Sequence, residues 1–256
     1  MGGILLSEFE RTFKRKKTTI GIGVYFIFIA LEGFFLYLTG GISFYDANHS
    51  VQLNSINTAP FFLRELGLFI NFILIPMFVI DSFSGEEHSG AFRLVLIRPQ
   101  QKMKLFLAKW IVLASIFLML TFTTWFIATI FGQIMMPHVS ETTFLNTESM
   151  RLLEGLFYTL KFYSVTYLIF LAIIGISSFM SLVMPNPIMA YMGTIACLIG
   201  GIYVSDQFIY FISVSDAIFS AFGKIGHYEF YMSLLVLFAI SHMMNISIWH
   251  RKQWKG

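Results

Sequence analysis

An all-α integral membrane protein with six transmembrane helices is the fold class this sequence predicts, on three observations. Of its 256 residues 57% are apolar and only 12% charged, with a mean hydropathy of +0.74, too little polar material to clothe a soluble domain of this length. Six apolar runs approach or exceed the roughly 20 residues a helix needs to cross about 30 Å of hydrocarbon. Lysine and arginine gather outside those runs, at the start, near residue 100 and at the end. No internal repeat or low-complexity stretch divides the chain, so residues 1–256 read as a single transmembrane domain.

The first element is amphipathic and basic. Leu5, Phe9 and Phe13 recur at helical spacing, with Glu8, Arg11, Lys14 and Arg15 on other faces. Residues 1–18 are therefore expected to lie as an interfacial helix on anionic headgroups. No small-residue cleavage site follows them, so no removable signal is predicted. The spans are placed near residues 19–38, 63–80, 105–130, 156–183, 188–204 and 230–248. The third and fourth are long enough to tilt or to start outside the hydrocarbon. The fifth is the shortest and carries Gly193, Gly200 and Gly201, which would let it either break or pack closely against a neighbour. Before it, Met184-Pro185-Asn186-Pro187 predicts a tight hairpin. Residues 205–229 hold Phe208, Ile209, Phe211, Ile218 and Phe219, so short helices dipping back into the membrane are expected there.

Orientation follows from the basic residues, which stay cytoplasmic when they flank spans. The N-terminal tail holds Arg11, Lys14, Arg15, Lys16 and Lys17; the segment after the second span holds Arg93, Arg98, Lys102, Lys104 and Lys109; the C-terminus holds Arg251, Lys252 and Lys255. With six spans all three fall on one side, which places both termini in the cytoplasm and the protein in the cell membrane as a multi-pass component.

The interruption at residues 81–104, between the second and third spans, is a charged elbow. Ser84 with Glu87 three residues later has the form of a capping box, which predicts a short helix from Gly85 until Arg98-Pro99 ends it. That helix would carry Glu86, Glu87, His88 and Arg93 beside Phe92 and Leu94, a composition suited to docking on a protein at the membrane surface.

Few residues inside the spans suggest chemistry. Glu32 is the ionisable side chain deepest in a predicted span, and a charge there is expensive unless it faces inward, so it is a candidate for a substrate path. Gly175-Ile176-Ser177-Ser178, His242 and Asn71 loosely resemble the rhomboid family of intramembrane serine proteases, with Ser178 where that family has glycine. The lone Cys197 excludes an internal disulfide, and no Cys/His spacing suits zinc. A formal net charge of +3 does not suggest nucleic-acid binding. No GxxxxGK[ST] phosphate-binding loop occurs, so ATP hydrolysis by that route belongs to another chain if it occurs at all.

The elbow resembles the permease subunits of ATP-binding-cassette exporters of the type-2 family. Gly85-Glu86, Gly90, Leu94 to Leu96, Pro99 and Lys109 fall where that family has GE, GT, a leucine-rich stretch, proline and a lysine opening the third span; Ala91 replaces the usual threonine. The resemblance implies that the chain is not itself an enzyme. It implies two copies of an ATPase subunit carrying ATP and magnesium, a second permease, identical or paralogous, and surrounding membrane lipids. It also implies a coupling helix seated in the ATPase, with Glu86, Glu87, Gly90, Phe92 and Arg93 as contacts. The aromatic-rich spans, with 30 phenylalanines, favour an amphiphilic substrate such as an antimicrobial or other peptide or a lipid-like drug. A non-transporting scaffold or sensor, or the protease, are the alternatives.

Overall fold

The computed structural model describes residues 2–39, 43–45, 50–90, 102–145, 147–223 and 228–252. Helix α1 (Gly2–Lys14) meets α2 (Lys16–Leu38) at Arg15, whose extended backbone (φ −74°, ψ 128°) turns the chain between them. A hairpin of β1 (Ser43–Tyr45) and β2 (Ser50–Gln52) leads to α3 (Ala59–His88). Then follow α4 (Lys102–Met135), a second two-stranded hairpin of β3 (Glu141–Thr142) and β4 (Met150–Arg151), α5 (Leu152–Val183) and α6 (Pro187–Val204). A 3₁₀ turn (Asp206–Phe211), α7 (Val214–Gly223) and α8 (Tyr228–Arg251) complete the described chain. Among the described residues six helices, α2 to α6 and α8, are long and apolar enough to cross a membrane. The predicted all-α membrane fold is thus observed. The third and fourth spans are the long ones, with 34 and 32 residues.

Helix α5 forms the centre: 72% of its spanning window is buried, against 17% for α6. It lies closest to α8, where Gly175 leaves room for Ser241 and Asn245 Nδ2 donates to the Gly175 carbonyl at 2.9 Å. Small residues let two backbones approach this way, since lipid offers no hydrophobic force to drive helices together. Helix α2 joins α4 through Tyr25, whose hydroxyl reaches the Leu120 carbonyl at 3.0 Å and also Thr124.

Helix α3 is continuous but contains two π-turns, Ile70–Leu74 and Asp81–Gly85. The first precedes Pro76, which has no N–H to give the Phe72 carbonyl four residues back. That carbonyl instead accepts from the Tyr191 hydroxyl of α6 at 2.7 Å. A backbone group left over by the helix is therefore spent on a contact between spans, as apolar surroundings require.

At one end of the bundle the two hairpins and their loops make a polar cap: Asn57 is fully buried, donating to the Gln52 carbonyl (3.0 Å) and Thr142 (3.2 Å). The 3₁₀ turn and α7 lie at that end. Asn71 Nδ2 donates to the Phe211 carbonyl at 2.8 Å, and Asn71 lies about 18 Å along α3 from Ala59. The opposite end gathers the N-terminal helix, the end of α3, the start of α4 and the end of α8. Trp249 Nε1 of α8 donates to the Lys102 carbonyl at 2.9 Å, and its ring packs between Phe83 and Phe106. Between α5 and α6, Met184 is extended ahead of Pro185, and Asn186 caps α6 by accepting from Met189 N–H at 2.9 Å, so the expected hairpin forms.

Candidate functional site

The charged end is built around Lys109, seven residues into α4 and 2% exposed. An ammonium there must find an acceptor for each of its three hydrogens or bear the desolvation cost alone. It finds three: Glu86 Oε2 of α3 at 2.6 Å, the Ser82 carbonyl at 3.0 Å and Glu8 Oε2 of α1 at 3.3 Å. The Ser82 carbonyl lies in the second π-turn, so this turn, like the first, gives a backbone oxygen to a neighbouring helix.

The two carboxylates are themselves shared. Arg11 pairs with Glu8 and, at 3.0 Å, with Glu86 Oε2; Arg15 pairs with Glu86 Oε1 and reaches Asp81 at 3.4 Å and Ser82 Oγ at 3.0 Å. Lys17 closes the row on Asp81 Oδ1 at 2.6 Å. Burial pulls the Arg15 guanidinium below its ordinary pKa and the neighbouring Asp81 pushes it back up, so the group keeps its charge. The result is an ionic network tying α1 and the α1–α2 joint to the end of α3 and the start of α4.

This arrangement corrects the sequence reading in three places. Glu8, expected among the polar residues set apart from the apolar face of α1, is buried together with Thr12, while Leu6 and Phe13 are exposed. The physical reason is Lys109: turning Glu8 outward would leave a buried cation short of an anion. The capping box does not form. Ser84 is buried inside the π-turn, Gly85 has helical angles (φ −64°, ψ −43°), and no side chain caps the segment Glu86–His88, because it is the last turn of α3 rather than a new helix. Nor does one helix run from Gly85 to Ile97. Gly90 adopts φ +73°, its N–H bonding back to the Glu87 carbonyl at 3.2 Å, which ends the helix in the left-handed conformation that glycine accepts most readily.

The coupling candidates accordingly separate. Glu86 is 5% exposed and engaged within the chain. Glu87 is partly exposed and accepts from Lys252 Nζ at 2.6 Å, which also approaches the Leu182 carbonyl at 3.4 Å, so it holds the end of α8. Gly90 ends α3 with its positive φ. Phe92 and Arg93 lie outside the described residues. Glu32, the substrate-path candidate, is half-buried near the capped end of α2, about 24 Å of helix away from Lys16.

The protease constellation is not assembled among the described residues. Ser177 Oγ is buried and makes no hydrogen bond, His242 lies parallel to Phe238 and edge-on to Trp110, and Asn71 is committed to Phe211. No group of three or more metal-ligating side chains occurs among the described residues either.

Sequence reasoning noticed Lys109 as the start of the third span but missed its partners. The signal was present in two fragments: one lysine among Leu105, Phe106, Ala108 and Trp110, and a stripe of Glu8, Arg11, Thr12 and Arg15 at positions i, i+3, i+4 and i+7 of a helix. Comparison with known proteins places the same region in a family. A family model described as "ABC-2 family transporter protein" matches residues 4–197, from α1 into α6, and so includes every residue of the ionic network. No curated protein matches the chain.

Proposed function

The chain belongs to the ABC-2 family of transporters, and from that premise we propose that it is the permease subunit of an ATP-driven exporter whose ATPase is a separate subunit. Two permeases, identical or paralogous, would pair with two ATPases that bind ATP and magnesium. Both termini and the elbow would face the cytoplasm, where the ATPases reside, and the polar cap would face outward. The observation that carries this reading is the ionic network just before residues 91–101. It braces the last turn of α3 against α1 and α4, so a push received by the elbow would move helices rather than fold a loop.

Within this reading Glu86 acts from inside, positioning the elbow; Arg93 and Phe92 are left for the ATPase, and Glu87 would meet it beside its pair with Lys252. The substrate would be amphiphilic, a peptide or lipid-like drug, with Glu32 along its path. Copurification from native membranes followed by mass spectrometry tests the assignment: an ATPase with a phosphate-binding loop should accompany the chain. Its reproducible absence would favour a scaffold or sensor instead. Arg93→Glu should release that ATPase or uncouple hydrolysis from transport; intact assembly with full transport would remove Arg93 from the interface.

A further inference from the structure

Beside the ionic network lies a cleft of about 480 Å³, lined by Arg11, Arg15 and Lys17 at the α1–α2 joint and by Asp81, His88 and Ser89 near the end of α3. Its volume suits a small polar ligand. Its charge is unbalanced: three cations, Arg11, Arg15 and Lys17, line it against two carboxylates, Asp81 and Glu86. Donors remain as well. Arg11 Nε is buried without a hydrogen-bond partner among the described residues, and Lys17 is 68% exposed while touching Asp81 through one of its three hydrogens.

The position of the cleft says which anion would reach it. Leu6 and Phe13, on the exposed face of α1, are apolar, and Lys17 sits in the first turn of α2, a span. Helix α6, whose Pro187 borders the cleft, has only 17% of its spanning window buried. With Glu10 and Lys14 also exposed on α1, that helix offers a mixed apolar and charged face suited to a membrane surface, which would set the opening near lipid phosphates. We propose that this cleft binds the phosphate-bearing headgroup of an anionic lipid, with Lys17 and Arg11 donating to the phosphate and Ser89 at the rim. Such binding needs no ATPase, so it stands or falls apart from the transport reading.

The full chain, purified in detergent with phosphatidylglycerol or phosphatidylcholine added, can be examined by native mass spectrometry. Wild-type protein should retain phosphatidylglycerol selectively. Lys17→Gln should lower that retention about fivefold, the effect of one basic contact near an anionic surface. Lys17→Arg should restore it, and neither change touches the Lys109 contacts. Equal retention of both lipids, or no loss in Lys17→Gln, would overturn the proposal. Displacement of the lipid by millimolar inorganic phosphate would identify a soluble-anion site and overturn it equally.

Discussion

Replacing Lys109 with methionine keeps the length of the side chain and removes its charge, and the contacts it makes set the cost. Two charge-assisted bonds, to Glu86 and Glu8, and one to the Ser82 carbonyl are lost. Cutting one member from a buried ion pair costs about 3–5 kcal/mol when the survivor is stranded. Here neither carboxylate is: Glu8 keeps Arg11, and Glu86 keeps Arg11 and Arg15. The loss should therefore fall at the low end, about 3 kcal/mol. For a chain of this size that lowers the unfolding midpoint by roughly 6–12 °C. Tryptophan fluorescence during thermal unfolding in lipid nanodiscs reads it out, since Trp249 packs on Phe106, one turn before Lys109. Lys14→Gln, at an exposed 3.6 Å pair with Glu10, is the control and should change stability by less than about 0.5 kcal/mol. The double variant Lys109→Met with Glu8→Leu should be less damaging than the sum of its singles by about 1–3 kcal/mol. A Lys109→Met protein within about 1 kcal/mol of wild type, or strict additivity in the double variant, would refute a network that acts as a unit.

Other consequences can be checked in the same system. Tyr191→Phe strands the Phe72 carbonyl and should cost about 1–3 kcal/mol, and less in a Pro76→Ala background, where residue 76 regains an N–H for that oxygen; equal costs in both backgrounds would argue against the proline as the cause. Gly132→Ala would set a methyl 3.0 Å from Thr58 Cβ and 3.2 Å from the Ser55 carbonyl, and should lower stability by about 1–3 kcal/mol and loosen the polar cap, measured as faster hydrogen exchange at Asn57. With Cys197 replaced by serine, a cysteine at Ser89 should react with an impermeant thiol reagent only after the cells are opened, and one at Glu148 in intact cells; the reverse pattern would invert the orientation.

Much of the fold was legible because the property that makes a span is local. An unbroken run of apolar side chains needs a helix whatever surrounds it, since hydrocarbon offers no partner to an unbonded peptide group. Six runs, the tight Pro185-Asn186-Pro187 turn and the apolar character of residues 205–229 could be read in that way. So could the location of the site, because a lysine within an apolar run must be compensated by something. What compensates it could not be read. Glu8 and Lys109 are separated by 101 positions, and only the docking of α1 under α4 makes them neighbours.

The elbow shows the same division from the other direction. Ser84 and Glu87 carry a capping pattern that an isolated segment would use, yet α3 arrives already helical, buries Ser84 in a π-turn and spends the Ser82 carbonyl on Lys109. Local pattern loses there because a preceding helix supplies the carbonyls that the cap would otherwise replace. By itself, then, the sequence determined that this chain carries six runs able to span a membrane, basic clusters outside them and an elbow that resembles the ABC-2 family's. The tertiary structure alone decided that Glu86 meets Lys109, Arg11 and Arg15 within the chain. A charge carried into an apolar bundle is stable only beside its counter-charge, and which residues meet there depends on how distant helices pack.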